Sequence, residues 1–522
     1  MNRRRTRLAR FTPFFCILAF TLPAVAQPVK PEMPRPEEHW YIVKLQDQRC
    51  GYMFLEVKPE GDEVRTHSLM SMEIRRSNSP IKISADQRYR ETADGRPLGF
   101  RHTMTLAEKP MIIEGTIDKG RLKLVQDQYG TKQESAYDFD PEIKFAWGLQ
   151  LEQRKHGLAP GTTFTLKSYD PSIKVDGPFE LAVNVVGKEP ITLPDGKSRT
   201  LTKVNSTMQL QGVAITTASW VDDDANPLVM DFNMGGFSVR VLAATKEQAL
   251  AGGNEAAPEM FINTFVKVDR RIGPDAKVVK LRLKLPPDDK SNMKMPDLPN
   301  TPAQSVEKVN DHEAIVTIRR LDWAAIRKAG DTAATDPAMK EYLRASPTVD
   351  INDKRIKRHA KRAVKDARTP AEKADALRRY VTEFVEYKAL DVGFASASEV
   401  VRTRKGDCSE HAVLLAAMAR AAGLPARGVS GIVQIPPGSL APGEGGSFGY
   451  HMWTQVNIDG QWVDIDAALR QTDCDATHVA LALMPLNDEG LGGSIISMLP
   501  LLGRLQMEII SVEPPQAAGA RP

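Results

Sequence analysis

Between residue 38 and about residue 250, apolar and polar residues alternate, with no long amphipathic helix among them. HWYIVKL (39–45), IEGTIDKGRLKLVQD (113–127), TTFTLKSY (162–169), FELAVNVVG (179–187) and GGFSVRVLAAT (235–245) are β-branched or alternating runs, with ADGR (93–96) and PDGK (194–197) among the turns. Successive side chains of a strand point to opposite faces, so this pattern predicts sheet with one face on a core and one in water. Residues 38–255 are therefore expected to form an antiparallel β-rich domain, which carries no recognisable chemistry of its own.

The pattern changes twice further on. ALAGGNEAAPEM (249–260) marks a boundary, and residues 256–350 are expected to form a β-containing connector, either a small β module or a β extension packed on the C-terminal domain, with strands at KVVKLRLKLP (277–286) and EAIVTIRRL (313–321). From residue 351 the period becomes helical. DKRIKRHAKRAVKDA (353–367) and TPAEKADALRRYVTEFVEY (369–387) predict two helices, the second started by Thr369, Pro370 and Glu372. Arg355, Lys357, Arg358, Lys361 and Arg362 then form a solvated helix face. Residues 351–510 make a C-terminal α+β domain, and 511–522 a disordered tail.

The first 26 residues resemble a secretory signal peptide. Five arginines precede an apolar run from Phe11 to Val25, and AVA stands before Gln27. A Pro-rich linker (27–37) follows. Taking away those arginines and no acidic residue moves the formal charge from +4 to −1, so basicity is no argument for nucleic-acid binding. The expectation is an exported protein, periplasmic or extracellular, with no membrane span once the signal is cleaved. Cys50, Cys408 and Cys474 would then meet an oxidising compartment; three is odd, and a Cys50–Cys474 disulfide is one open pairing.

In TRKGDCSEHAVLLAAMARAAGLPARGV (403–429), Ala412, Leu415, Ala416, Ala419 and Ala422 follow helical spacing up to Gly423-Leu424-Pro425. Cys408 thus opens a helix, where unpaired N–H groups and the helix dipole favour a thiolate. A nucleophilic thiol needs a base, and YHMWTQVNIDGQWVDIDAAL (450–469) supplies one. With Asp459-Gly460 as a two-residue turn, Ile458 faces Gln461 and Trp453 faces Asp466. His451, Trp453, Gln455 and Asn457 share a face with Trp462, Asp464 and Asp466. Asp466 lies one diagonal step from His451, whereas Asp464 lies opposite Gln455. An orienting Asp466, a proton-accepting His451 and a thiolate at Cys408 complete an acyl-transfer constellation.

GDCSEHAVLLAAMARAAGLPAR, FGYHMW and GQWVDIDAA, in that order over about residues 350–487, resemble the transglutaminase-like superfamily. The resemblance implies a papain-like core, a helix bearing the Cys packed on a sheet bearing the His and Asp, and the roles already given to Cys408, His451 and Asp466. Many relatives carry Trp after the Cys and Pro-Thr after the Asp. Ser409 and Ala467-Ala468 stand here, which points away from glutamine crosslinking. The expected activity is a peptidase or amidase acting through a Cys thioester, without cofactor, on a protein or peptide of the cell envelope. N–H groups at the helix start, that of Cys408 among them, would form part of the oxyanion hole. A transamidase, or a non-catalytic envelope scaffold with a vestigial thiol domain, are the alternatives.

Trp453 and Trp462 are candidates to wall the cleft, and His411 is a candidate substrate contact. Two rival motifs overlap the site. Cys408-x-x-His411 with Cys474-x-x-x-His478 has zinc-like spacing, but it joins a helix start to a distant loop, and no metal is expected. GGSFG (445–449) matches the G-x-S-x-G pattern around Ser447, yet a Pro/Gly loop precedes it and a strand follows. That loop is instead a candidate lid.

Overall fold

The computed structural model describes residues 33–514, apart from 77–78, 107–108, 129–130, 172, 175–176, 211–212, 252–257, 260–261, 288–292, 329–336, 389–394, 437–445 and 488–497. The expected signal peptide, most of the expected linker, the candidate lid and residues 515–522 lie outside the described residues. The protein is rich in strand, with few helices. No described helix is long and apolar enough to cross a membrane.

Fifteen strands between Glu37 and Ala244 form one sheet. Its first strand, Glu37–Leu45, lies at the middle, paired with Gln48–Glu60 on one side and with the last strand, Phe237–Ala244, on the other. Neighbours in sequence are neighbours in space outward from that seam, and only Ile143–Lys144 pairs in parallel, with Thr163–Ser168. The alternation is visible in burial: Phe237, Val239 and Val241 are inside, and Ser238 and Arg240 outside. ADGR and PDGK turn as expected, with Gly95 and Gly196 at positive φ.

A helix at Ala146–His156 interrupts the strands, and its N-cap residue, Phe145, offers no side-chain cap. The orphaned N–H groups of Trp147 and Gly148 donate instead to Glu91, both at 2.8 Å. Glu91 is fully buried, and burial raises its carboxyl to about 7 against these backbone donors.

The connector packs on the C-terminal domain as a β extension, one of its two expected forms. Val278–Lys284, Gln304–Asn310 and Glu313–Arg319 form a four-stranded sheet completed by Gln506–Glu513, so the C-terminal strand belongs to this sheet and runs three residues into the expected tail. Leu281, Leu283, Val316 and Ile318 share one core with Ile432, Phe448, Val479 and Leu481 of the next sheet. Two glutamines act as backbone mimics across the seam. Gln304 donates to Ala480 O (2.9 Å) and accepts from Ala480 N (2.8 Å), while Gln434 donates to Ile272 O (2.8 Å) and accepts from Ile272 N (2.7 Å). Alternation foretold a buried face but not what covers it, so residue 350 is no break in packing.

The fifteen-stranded sheet docks on the segment before the last strand. Gly236 N donates to Leu502 O (2.7 Å), and a Cβ at Gly235 would stand 2.5 Å from Leu499 O. Glycine is required at that turn by the close approach.

The site lies in a five-stranded sheet ordered Val266–Lys267, Ser447–Ile458, Ala426–Gln434, Val479–Met484, with Gln461–Ile465 paired to Ser447–Ile458. Helices Lys354–Ala363, Pro370–Phe384, Ala397–Thr403 and Cys408–Ala421 pack together beside it. Thr369 caps the second of them in a capping box with Glu372. Lys357, Arg358, Lys361 and Arg362 are exposed, as a solvated face requires. The expected Cys50–Cys474 pairing does not form a disulfide: Cys50 is buried in the core of the fifteen-stranded sheet, whereas Cys474 belongs to the loop after Asp466.

Candidate functional site

The Cys408 helix begins at Asp407, which accepts from Ser409 N (3.0 Å) while Glu410 accepts from Asp407 N (2.9 Å). This capping box places Cys408, half-buried, at the first helical position. Glu410 also accepts from Ala395 N (2.7 Å) and Ser409 Oγ (3.1 Å), and is fully buried. A Cβ on Gly406 would stand 2.1 Å from Glu410 Cβ, so only glycine lets the chain pass there. From Glu410 to Arg420 every residue is buried, so the helix is central, not one-sided.

Burial, then the neighbouring Asp407 charge, pushes the Glu410 carboxyl up to about 8. Its folded value lies above its unfolded one. The stability it contributes is therefore fully present below about pH 4.5 and is lost as pH rises through about 8. Glu410→Gln, neutral throughout, is expected to flatten the fall in melting temperature between pH 5 and pH 8.5. An unchanged slope would place that dependence elsewhere.

The hairpin has the expected register. Asp459 and Gly460 have φ of 50° and 81°, and Thr454 pairs with Ile465, Gln455 with Asp464 and Asn457 with Trp462. His451 Nε2 donates to Asp466 Oδ2 at 2.6 Å, with the His451 side chain 9% and the Asp466 side chain 1% exposed. That bond leaves Nδ1 as the basic ring nitrogen. Asp464 is engaged elsewhere, by Trp453 Nε1 (2.7 Å) and Gln455 Nε2 (2.9 Å). Leu469 N donates to Asp466 Oδ1 (2.9 Å), closing a tight loop after the strand. Burial alone would raise the Asp466 carboxyl; the facing His451 and His478 rings overcome this and hold it well below the usual carboxylate range. Thr454 Oγ1 donates to Ala412 O (3.0 Å), so the Cys408 helix is fastened one turn from Cys408 to the strand bearing His451, three residues from His451.

The remaining candidates stand elsewhere. Trp453 is 1% exposed, lies nearly parallel to His451 (19°, centroids 6.2 Å apart) and packs with Val429, Val433 and Ala480, so it backs the imidazole and lines no open cleft. Trp462 pairs with Asn457, six residues or about 20 Å along the strand from His451. Its ring lies under the Arg427 guanidinium (4.0 Å) and against Tyr342. His411 is buried, and its Nδ1 donates to Asp407 O (2.6 Å), which makes it part of the helix start. Ser447 is buried at the start of a strand, with no helix after it, which removes the nucleophile-elbow geometry. Among the described residues no three His, Cys, Asp or Glu side chains are grouped to hold a metal ion.

Sequence reasoning assigned no role to His478. It donates from Nε2 to the same Asp466 oxygen as His451, at 3.2 Å. The signal available was DATH itself, but no periodicity ties a loop residue to a strand face.

Residues 357–467 match the family model of the transglutaminase-like superfamily. No curated protein matches the chain. Among solved structures, a β-barrel-like protein from Brucella abortus aligns at 14% identity over 40% of this chain and 96% of its own, with a TM-score of 0.33. A proposed cysteine protease from Cytophaga hutchinsonii aligns at 16% identity over 40% of this chain and 82% of its own, with a TM-score of 0.29. A proposed protease from Parabacteroides distasonis aligns at 12% identity over 72% of this chain and 68% of its own, with a TM-score of 0.19.

Proposed function

For a chain that carries a transglutaminase-like domain over residues 357–467, we propose a thiol acyl-transfer enzyme with Cys408 as nucleophile, His451 as base and acid, and Asp466 as the orienting carboxylate. The observation that carries this reading is the 2.6 Å bond from His451 to a buried Asp466, on a strand fastened to the helix that Cys408 opens.

His451 Nδ1 takes the thiol proton, and the thiolate attacks the carbonyl carbon of a carboxamide or peptide bond. The Cys408 N–H at the helix start supplies part of the oxyanion hole, a papain-like arrangement. His451 returns the proton to the leaving nitrogen as the C–N bond breaks, leaving a thioester. Water, deprotonated by His451, then releases the acid and restores the thiol. Ser409 and Ala467-Ala468 favour water over an amine as acceptor. The arginine-rich start favours export, and hence a protein or peptide substrate in the cell envelope.

The test is mass spectrometry of envelope proteins and peptides incubated with the mature protein or with Cys408→Ala. Hydrolysed peptide bonds or deamidated side chains that require Cys408 are the expected result. Isopeptide crosslinks would make it a transamidase. Identical products with both proteins would leave the chain a scaffold.

A further inference from the structure

Asp466 holds two imidazoles on one oxygen. His451 and His478 both present Nε2 to Oδ2, at 2.6 and 3.2 Å. His478 is 5% exposed, and its Nδ1 lies 3.4 Å from Asp475 Oδ1. Asp475 is itself fixed by Gln471 Nε2 (2.9 Å) and Thr477 N (2.9 Å). Trp453 meets His478 edge-on (5.2 Å, 88°) while lying nearly parallel to His451, so one indole sets the orientation of both rings.

Nε2 bonds to Asp466, whereas Nδ1, 3.4 Å from Asp475 Oδ1, makes no hydrogen bond; two carboxylates beside a buried imidazole still favour its cation. Burial alone would lower His478, and the carboxylates of Asp466 and Asp475 oppose it, raising it above the ordinary histidine value. The Cys474 thiol is pushed up to about 12 by its own burial and is neutral at pH 7, so the carboxylates supply the charge. Asp464, raised by burial and held by Trp453 and Gln455, also lies nearby, and Arg319 and Asp473 line the same small cavity as His478.

We propose that His478 is a positioning residue, a buried imidazolium that fixes Asp466 from behind and offsets its charge, so that Asp466 orients His451 without locking it in the protonated form. This rests on the Cys408–His451–Asp466 reading. A base must reach its proton-accepting state. A buried carboxylate facing His451 alone would hold the proton on the ring, and a second cation on the same oxygen weakens that hold.

The experiment follows histidine side chains by 15N NMR across pH in the Cys408→Ala protein, where no thiol titrates beside His451. Adding His478→Gln, which keeps an N–H donor but no charge, is expected to raise the His451 midpoint by about one pH unit. A lower melting temperature with an unmoved His451 midpoint would overturn the proposal and leave His478 a packing residue. Should the double variant not fold, the Cys408→Ala spectrum still decides. Both His478 nitrogens protonated at pH 8 is the expected state, and a neutral ring there overturns the proposal. Failure of the underlying reading would register separately, as Cys408 alkylation that ignores His451.

Discussion

Asp466→Ala is expected to destabilise the protein by about 3–5 kcal/mol, because it strips the acceptor from two buried imidazoles at once. Asp466→Asn separates the two duties of the residue. An amide oxygen can still accept from both Nε2 groups, but its NH2 then faces Leu469 N, and the charge is gone. It is expected to keep more of the stability, yet to slow Cys408 alkylation at pH 6 by about 10²- to 10⁴-fold, because nothing stabilises the imidazolium that forms. Thermal denaturation and alkylation rates of the two variants check this. Equal rates in Asp466→Asn and the unaltered protein would mean that the carboxylate charge plays no part.

The second large effect is structural. Arg420, near the end of the Cys408 helix, is 3% exposed and satisfies the carbonyl of Ala426 twice (3.0 and 2.8 Å), that of Arg344 (2.8 Å) and that of Pro485. Burial lowers its guanidinium to about 10, opposed by Glu341 and Tyr342, so it remains charged at neutral pH. Its fork gathers the segments around 344, 426 and 485 about the end of the central helix. Arg420→Ala leaves those carbonyls buried without donors and is expected to cost about 3–5 kcal/mol. Arg420→Lys is expected to recover little, because a point ammonium cannot reproduce the planar fork. Denaturant titration decides it; a loss below about 1 kcal/mol would show that the carbonyls find other partners.

Arg420 also shows why parts of this structure were hard to read from sequence. A charge within AVLLAAMARAA resembles the wet side of an amphipathic helix, yet the helix is buried all round. That it stands alone in an apolar run was the available signal. Local features read well: the Asp459-Gly460 turn fixes the register that sets Asp466 beside His451, and Thr369 and Glu372 form the capping box that starts the helix at Pro370. Long-range features did not. Nothing in Glu37–Leu45 says that it pairs with Phe237–Ala244, and nothing in Gln506–Glu513 says that it completes a sheet begun two hundred residues earlier. His478 was missed, and Trp453, though named, was expected at a cleft wall, for a related reason. Alternation assigns a side chain to a face, but not to the inside of that face, where Trp453 lies, nor to a loop folded beneath it, where His478 lies.

Activation of the Cys408 thiol by His451 is read from the rate of Cys408 alkylation by iodoacetamide from pH 4 to pH 10, in the unaltered protein and in His451→Gln. The expected result is rapid modification already near pH 5 to 6 in the unaltered protein. His451→Gln should lose that acid-side reactivity and follow an ordinary thiol, with a midpoint near about 8.5. Superimposable profiles for the two proteins would contradict this activation.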